Sequence, residues 1–150
     1  MGKRELNKAM TTLFERASAL RIVLASPATS SAETGYAEAV LACAGDLLAA
    51  GEPGVALELA DLALNHETTH SQEASRTLAL LRAKALRLTG RLDEALSDIK
   101  QLNATVRHGE TPRDFLAELR IVEASCLWRL NQVDAAILAL KRVREELLGG

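Results

Sequence analysis

The sequence predicts an all-α fold, and three observations carry that prediction. Apolar residues make up 48% of the 150-residue chain but aromatics only 3%, so the interior must be assembled from Leu, Ala, Val and Ile. Ala and Leu stand at the head of the helix propensities. Only 3 Pro and 9 Gly leave little punctuation for the many short strands of a β-protein. Apolar positions also recur at i, i+3, i+4 and i+7 along the chain, the period of a helix with one buried face. This length buries a core without disulfides or metal, which fits one structural domain of about seven helices.

The first element is a leading amphipathic helix within residues 1–26. Leu6, Ala9, Met10, Leu13, Phe14, Ala17 and Leu20 share one face of it. Pro27 and the small polar residues of "PATSSAET" end it. Residues 33–150 then read as three helix pairs, at about 33–66, 70–107 and 111–148.

A repeat becomes visible when "ACAGDLLAAGEPGVALELADLAL", "LRAKALRLTGRLDEALSDIKQL" and "VEASCLWRLNQVDAAILALKRV" are placed side by side. Each register opens on Ala44, Ala83 or Ala124, followed three positions later by Leu47, Leu86 or Leu127. Gly51, Gly90 and Asn131 come next, the residue types that best tolerate a left-handed backbone at a helix end. Ala56, Ala95 and Ala136 follow, then Ala63, Leu102 and Val143. The spacing predicts a helix that stops at Gly or Asn and a second helix folding back on it. The alanines let the two backbones approach, and the leucines fill the flanks. One such hairpin cannot bury its own apolar face, so copies must stack.

The first helices of the second and third pairs should be about one turn longer than that of the first. Thr69 with Gln72 three residues on is a capping-box pattern opening the second pair. Thr111 reads as the cap of the third, with Pro112 at the first helical position.

This register resembles the tetratricopeptide repeat, in which small residues in both helices and a turn Gly recur in the same order. "LTGRLDEAL", with Gly90, Ala95 and Ile99, is the stretch most similar to that family's turn and second-helix start. The resemblance covers residues from about 37 to 148. These repeats are longer than the usual length of about 34, lack the aromatic often found early in the first helix, and close without Pro. The resemblance implies hairpins stacked in a right-handed superhelix. It also implies non-catalytic protein–protein recognition, as an adaptor, scaffold, chaperone-like or regulatory subunit without a cofactor.

Other classes are disfavoured by the totals. A formal charge of −2 does not suit binding of nucleic acid by bulk electrostatics. Cys43 and Cys126 are isolated and lack CxxC spacing, which reads as buried free thiols in a reducing compartment. No window approaches the roughly 18 apolar residues of a membrane helix, and charged residues interrupt what would be a signal peptide's apolar core. The expectation is a soluble, cytoplasmic chain.

One motif points elsewhere. His66-Glu67-Thr68-Thr69-His70 matches the His-Glu-x-x-His of zinc peptidases. That chemistry needs both imidazoles one turn apart on a single helix, a third ligand, and the Glu held beside a metal-bound water. Here the repeat places His66 at the end of one helix and His70 at the start of the next, while the remaining histidine, His108, falls in a later loop. The expected reading is therefore a chance match with no metal, and a zinc hydrolase through His66 and His70 is kept only as a rival.

For a binding module, the register nominates a concave groove. Its candidates are Leu41 and Leu48 from the first pair, Leu80, Lys84 and Arg87 from the second, and Ile121, Trp128 and Arg129 from the third. Gly45 and Ser125 fall in the same wall, where some members of the similar family carry the asparagines that clamp a C-terminal carboxylate. An apolar stripe beside three cations suits a peptide or helix with apolar and acidic groups. The same cations also fit an ordinary solvated helix face, and Trp128 also fits core packing. In the last helix, Ala136, Leu140, Val143 and Leu147 form one face, and Ile137, Leu138 and Leu148 extend apolar surface beyond it. Repeat arrays end on a polar face, so the expectation is that a partner subunit covers this helix, a second copy included, or that the chain is a piece of a longer protein. The alternative function is a self-associating domain that dimerises a larger regulator or enzyme.

Overall fold

The computed structural model of the chain describes residues 2–25, 36–66, 71–107 and 109–148. Among them are seven helices and no strand: α1 (Lys3–Ala25), α2 (Tyr36–Ala49), α3 (Pro53–Asn65), α4 (Gln72–Leu88), α5 (Leu92–Thr105), α6 (Arg113–Arg129) and α7 (Val133–Leu148). Over these residues α4 and α6 each span 17 residues, and α2 spans 14 from Tyr36, the residues before it lying outside the described ones. No described helix is long and apolar enough to cross a membrane. Pro27, His108 and the side chain of Leu6 lie outside the described residues.

Three helix ends are built alike. Gly51, Gly90 and Asn131 have φ of 81°, 84° and 63°. Each donates its N–H three residues back, to Leu48, Arg87 and Trp128, and the next residue reaches five back, to Leu47, Leu86 and Leu127. This paired closure satisfies the carbonyls that a helix end leaves open, and it requires the left-handed residue at its centre.

The chain divides into two compact units, Met1–Ala85 and Leu86–Gly150, and the division falls inside α4. In the first unit α1 lies on both α2 and α3. Val40, Cys43, Ala44 and Leu47 meet Ala56, Leu59, Ala60 and Ala63, with Leu78 and Leu81 of α4 joining the same core. α1 contributes Leu13, Ala17 and Leu24, with Met10 and Leu20 packed alongside. Its buried stripe is thus turned from the expected one: Ala9 and Phe14 face outward, and Leu24 faces in. Ion pairs Arg16–Asp46 (3.0 Å) and Arg21–Glu58 (2.9 Å) tie α1 to the hairpin beneath it.

In the second unit α6 lies against both α5 and α7. Its buried residues include Ala95, Ile99 and Leu102 of α5, Leu119, Val122 and Cys126 of α6, and Ala136 and Ala139 of α7. Leu140 and Leu147, expected on one face of α7 with Ala136, are exposed instead, while Ala136 and Ala139 are buried.

Two caps differ from expectation. α4 is opened by Ser71, whose Oγ accepts the Ala74 N–H at 3.0 Å; Thr69 lies outside the described residues. α6 starts one residue later than expected, with Pro112 as the residue preceding its first turn. Thr111 does not cap it. Its buried hydroxyl accepts the Arg107 N–H at 3.2 Å and closes the loop before the helix.

Candidate functional site

The eight groove candidates separate when placed in the structure. Leu41 and Leu48 are half-buried and pack on the core of the first unit. Leu80 is a correction: it is 2% exposed, a core residue that offers a ligand no surface. Lys84 is half-exposed and has an interaction of its own.

Arg87, Ile121, Trp128 and Arg129 do come together, all within the second unit. With Ala124, Ser125, Ala136 and Leu140 they line an open cleft of about 440 Å³. Ile121 is 51% exposed, Trp128 63% and Leu140 51%, so the cleft is walled by large apolar side chains that nothing among the described residues covers. Exposed apolar groups of this size, gathered around a concavity, mark a surface that another molecule can desolvate. Sequence reasoning missed Ala136 and Leu140 as cleft residues. Their apolar stripe on α7 was legible, but not that half of it turns toward α6.

The cationic rim has its own geometry. Arg129 Nη1 donates to the backbone oxygen of Arg87 at 2.8 Å, capping a carbonyl in the last turn of α4. Neither guanidinium forms an ion pair among the described residues, and Arg87 Nε is buried without a hydrogen-bond partner. Both arginines therefore keep unused donors beside an apolar floor. Such a pair suits a carboxylate, which accepts two parallel N–H bonds from one guanidinium.

Cys126, on α6 between Ser125 and Trp128, is fully buried. Burial pushes its thiol up, against the pull of Arg87 and Arg129, while Glu123 adds to the rise. Cys43 is raised likewise, first by burial, with Arg16 opposing and Asp46 adding. Thiolates are the reactive form, so both cysteines should resist alkylation in the folded chain at pH 8 and react fully in denaturant, as mass spectrometry would show. The linkage has one sign: the unfolded thiols ionise first, so stability falls as pH rises above about 8.5. Rapid modification of native protein would show that these thiols reach solvent.

A second cavity in this unit, about 960 Å³, is more polar; its walls include Arg113, Arg120, Arg142, Glu145 and Glu146. Arg120 is 7% exposed and already engaged. Its Nη2 and Nε donate to Glu146 Oε1 at 3.0 and 3.3 Å, Nη1 donates to Asn103 Oδ1, and Glu123 stands 3.7 Å away. The arrangement joins α5, α6 and α7 through one cation. Its chemistry is structural.

Of the His-Glu-x-x-His motif, His66 is the residue described, and it does not lie on a helix. α3 ends at Asn65, and His66 comes next in extended conformation with φ −69° and ψ 143°. Its ring stands edge-on to Tyr36 at 6.3 Å. Glu67 and His70 lie outside the described residues.

No family model, curated protein or solved structure matches the chain.

Proposed function

We propose that the chain is a tetratricopeptide-like, non-catalytic recognition module that binds a protein partner through the cleft around Trp128. One observation carries this reading: three large apolar side chains, Ile121, Trp128 and Leu140, stand exposed around a single concavity. The two arginines at its rim form no ion pair among the described residues. Desolvating such apolar side chains contributes roughly 25 cal/mol per Å² of surface covered. Trp and Arg are also the types that dominate interface energetics.

The test is a substitution that keeps the fold. Trp128→Asp removes the exposed ring and leaves the helix crossing intact, so unfolding midpoints should move little. Capture of partners from extracts of the source cell should be lost for this variant and kept for the wild type. Identical captured sets would exclude the cleft.

Self-association is a second reading, favoured by a different feature. α7 exposes Ile137, Leu138, Leu147 and Leu148 in addition to Leu140. Paired copies would cover that surface, and sedimentation would then report a mass that rises with concentration.

A further inference from the structure

The shape and charge of the cleft point to the kind of partner that fits it. The repeat supplies an internal comparison, because Ile121, Ile137 and Leu140 have counterparts in the earlier pairs. The counterparts are Leu80, Leu96 and Ile99 in the second and Leu41, Leu57 and Ala60 in the first. Leu80, Ile99, Leu57 and Ala60 are buried, Ile99 to 1% exposure, and Leu41 and Leu96 are half-buried. In the second unit the helix lying against α5 is α6. In the first, α4 places Leu78 and Leu81 in the core that holds Ala60. In these two pairs four of the six positions are buried and the other two half-buried. In the third pair the same positions remain apolar and stand open.

A helix is also what this surface can seat. Two packed helices such as α6 and α7 leave a trough between them into which the side-chain ridge of a third can pack. Ser125 and Ala136, both small, are among the residues that line it. The rim adds charge, since Arg87 and Arg129 face the trough with no ion pair among the described residues, and the buried Arg87 Nε has no acceptor.

We infer that the cleft takes an amphipathic α-helix of a partner protein, whose apolar stripe covers Ile121, Trp128 and Leu140 and whose flank sets a carboxylate against Arg87 and Arg129. This rests on the recognition reading above and adds the secondary structure and charge of the partner. Binding continues the packing of the chain by one helix, and the acidic flank gives the two guanidiniums an ion-pair partner that neither has among the described residues.

Trp128 is the sole tryptophan of the chain, so its emission reports occupation of the cleft directly. The probes are synthetic helical peptides sharing one Leu/Ala stripe: one with Glu along the flank, one with Lys there, and a Glu version broken by a central proline. Titrated into the full chain, the Glu helix should shift the emission to the blue and saturate. The Lys helix should bind at least about tenfold more weakly, as loss of one charge-assisted contact implies, and the broken helix should not bind. Arg87→Glu with Arg129→Glu should invert the preference, with circular dichroism checking the fold. The wild-type comparison needs no variant. Equal binding of the Glu and Lys helices, binding of the broken peptide, or no binding at all would overturn the inference. So would a blue shift that grows with protein concentration alone, which would give the face to a second copy. If Trp128→Asp abolishes capture from extracts while no peptide binds, recognition stands and the helix falls. Capture that ignores Trp128→Asp removes the recognition reading itself.

Discussion

Arg120→Ala should lower the free energy of unfolding by about 3–5 kcal/mol, the cost of removing one partner from a buried ion pair. The size of the effect comes from what is left behind. Arg120 reaches Glu146 on α7 at 3.0 Å and Asn103 on α5, and Glu123 stands one turn along on α6. Glu146 Oε2 and Glu123 Oε1 are already buried without a hydrogen-bond donor. Without the guanidinium, two largely buried carboxylates would face each other with no cation between them. Denaturant titration should show a lower midpoint with an unchanged slope. Arg120→Lys should fall between, because an ammonium restores charge but cannot span three acceptors at once. Replacing the set with apolar side chains (Arg120→Met, Glu123→Leu, Glu146→Leu) should recover much of the loss, since the pair's own net contribution is small. A deficit below about 1 kcal/mol for Arg120→Ala would mean that water in the adjoining cavity screens the cluster as it screens a surface pair.

This network shows where the sequence stops being informative. Arg120 is the one charged residue among the buried positions of α6, which are otherwise Leu116, Leu119, Val122, Ala124 and Cys126. The periodicity marks it as unusual. Its acceptors, however, are 17 and 26 residues away on other helices, and no local pattern announces them. The hairpins were legible for the opposite reason: each turn is decided within six residues, by a left-handed Gly or Asn and two backbone hydrogen bonds. Caps fell between these cases. Ser71 and Thr69 both satisfy the preference for a side-chain oxygen before a helix, and Thr111 satisfies it while serving its own loop instead. The cleft was half legible. The register identifies which residues share a face, but whether that face is covered depends on the presence of another helix beyond it. Leu80 and Ile121 occupy one register position, and only Ile121 is open.

Ala56→Leu should destabilise the chain by about 1–3 kcal/mol, the usual cost of forcing extra methylenes into a close-packed crossing. Ala56 is fully buried where α3 meets α2, in a core shared with Ala44 and Leu47. A larger side chain there must push the hairpin apart or leave its preferred rotamers. Ala136→Leu, at the same register position, should cost less. Ala136 is buried against α6, yet it also lines the open cleft beside Trp128 and Leu140. Its added carbons have somewhere to go, and in going there they occupy the floor of the binding surface. The pair therefore separates two properties that alanine serves at once. Ala56→Leu should lower the unfolding midpoint and leave binding by the folded fraction unchanged, whereas Ala136→Leu should weaken binding with a smaller loss of stability. Equal destabilisation by the two would show the third crossing to be as closed as the first. No destabilisation by Ala56→Leu would show that close approach is not why a small residue stands at each crossing.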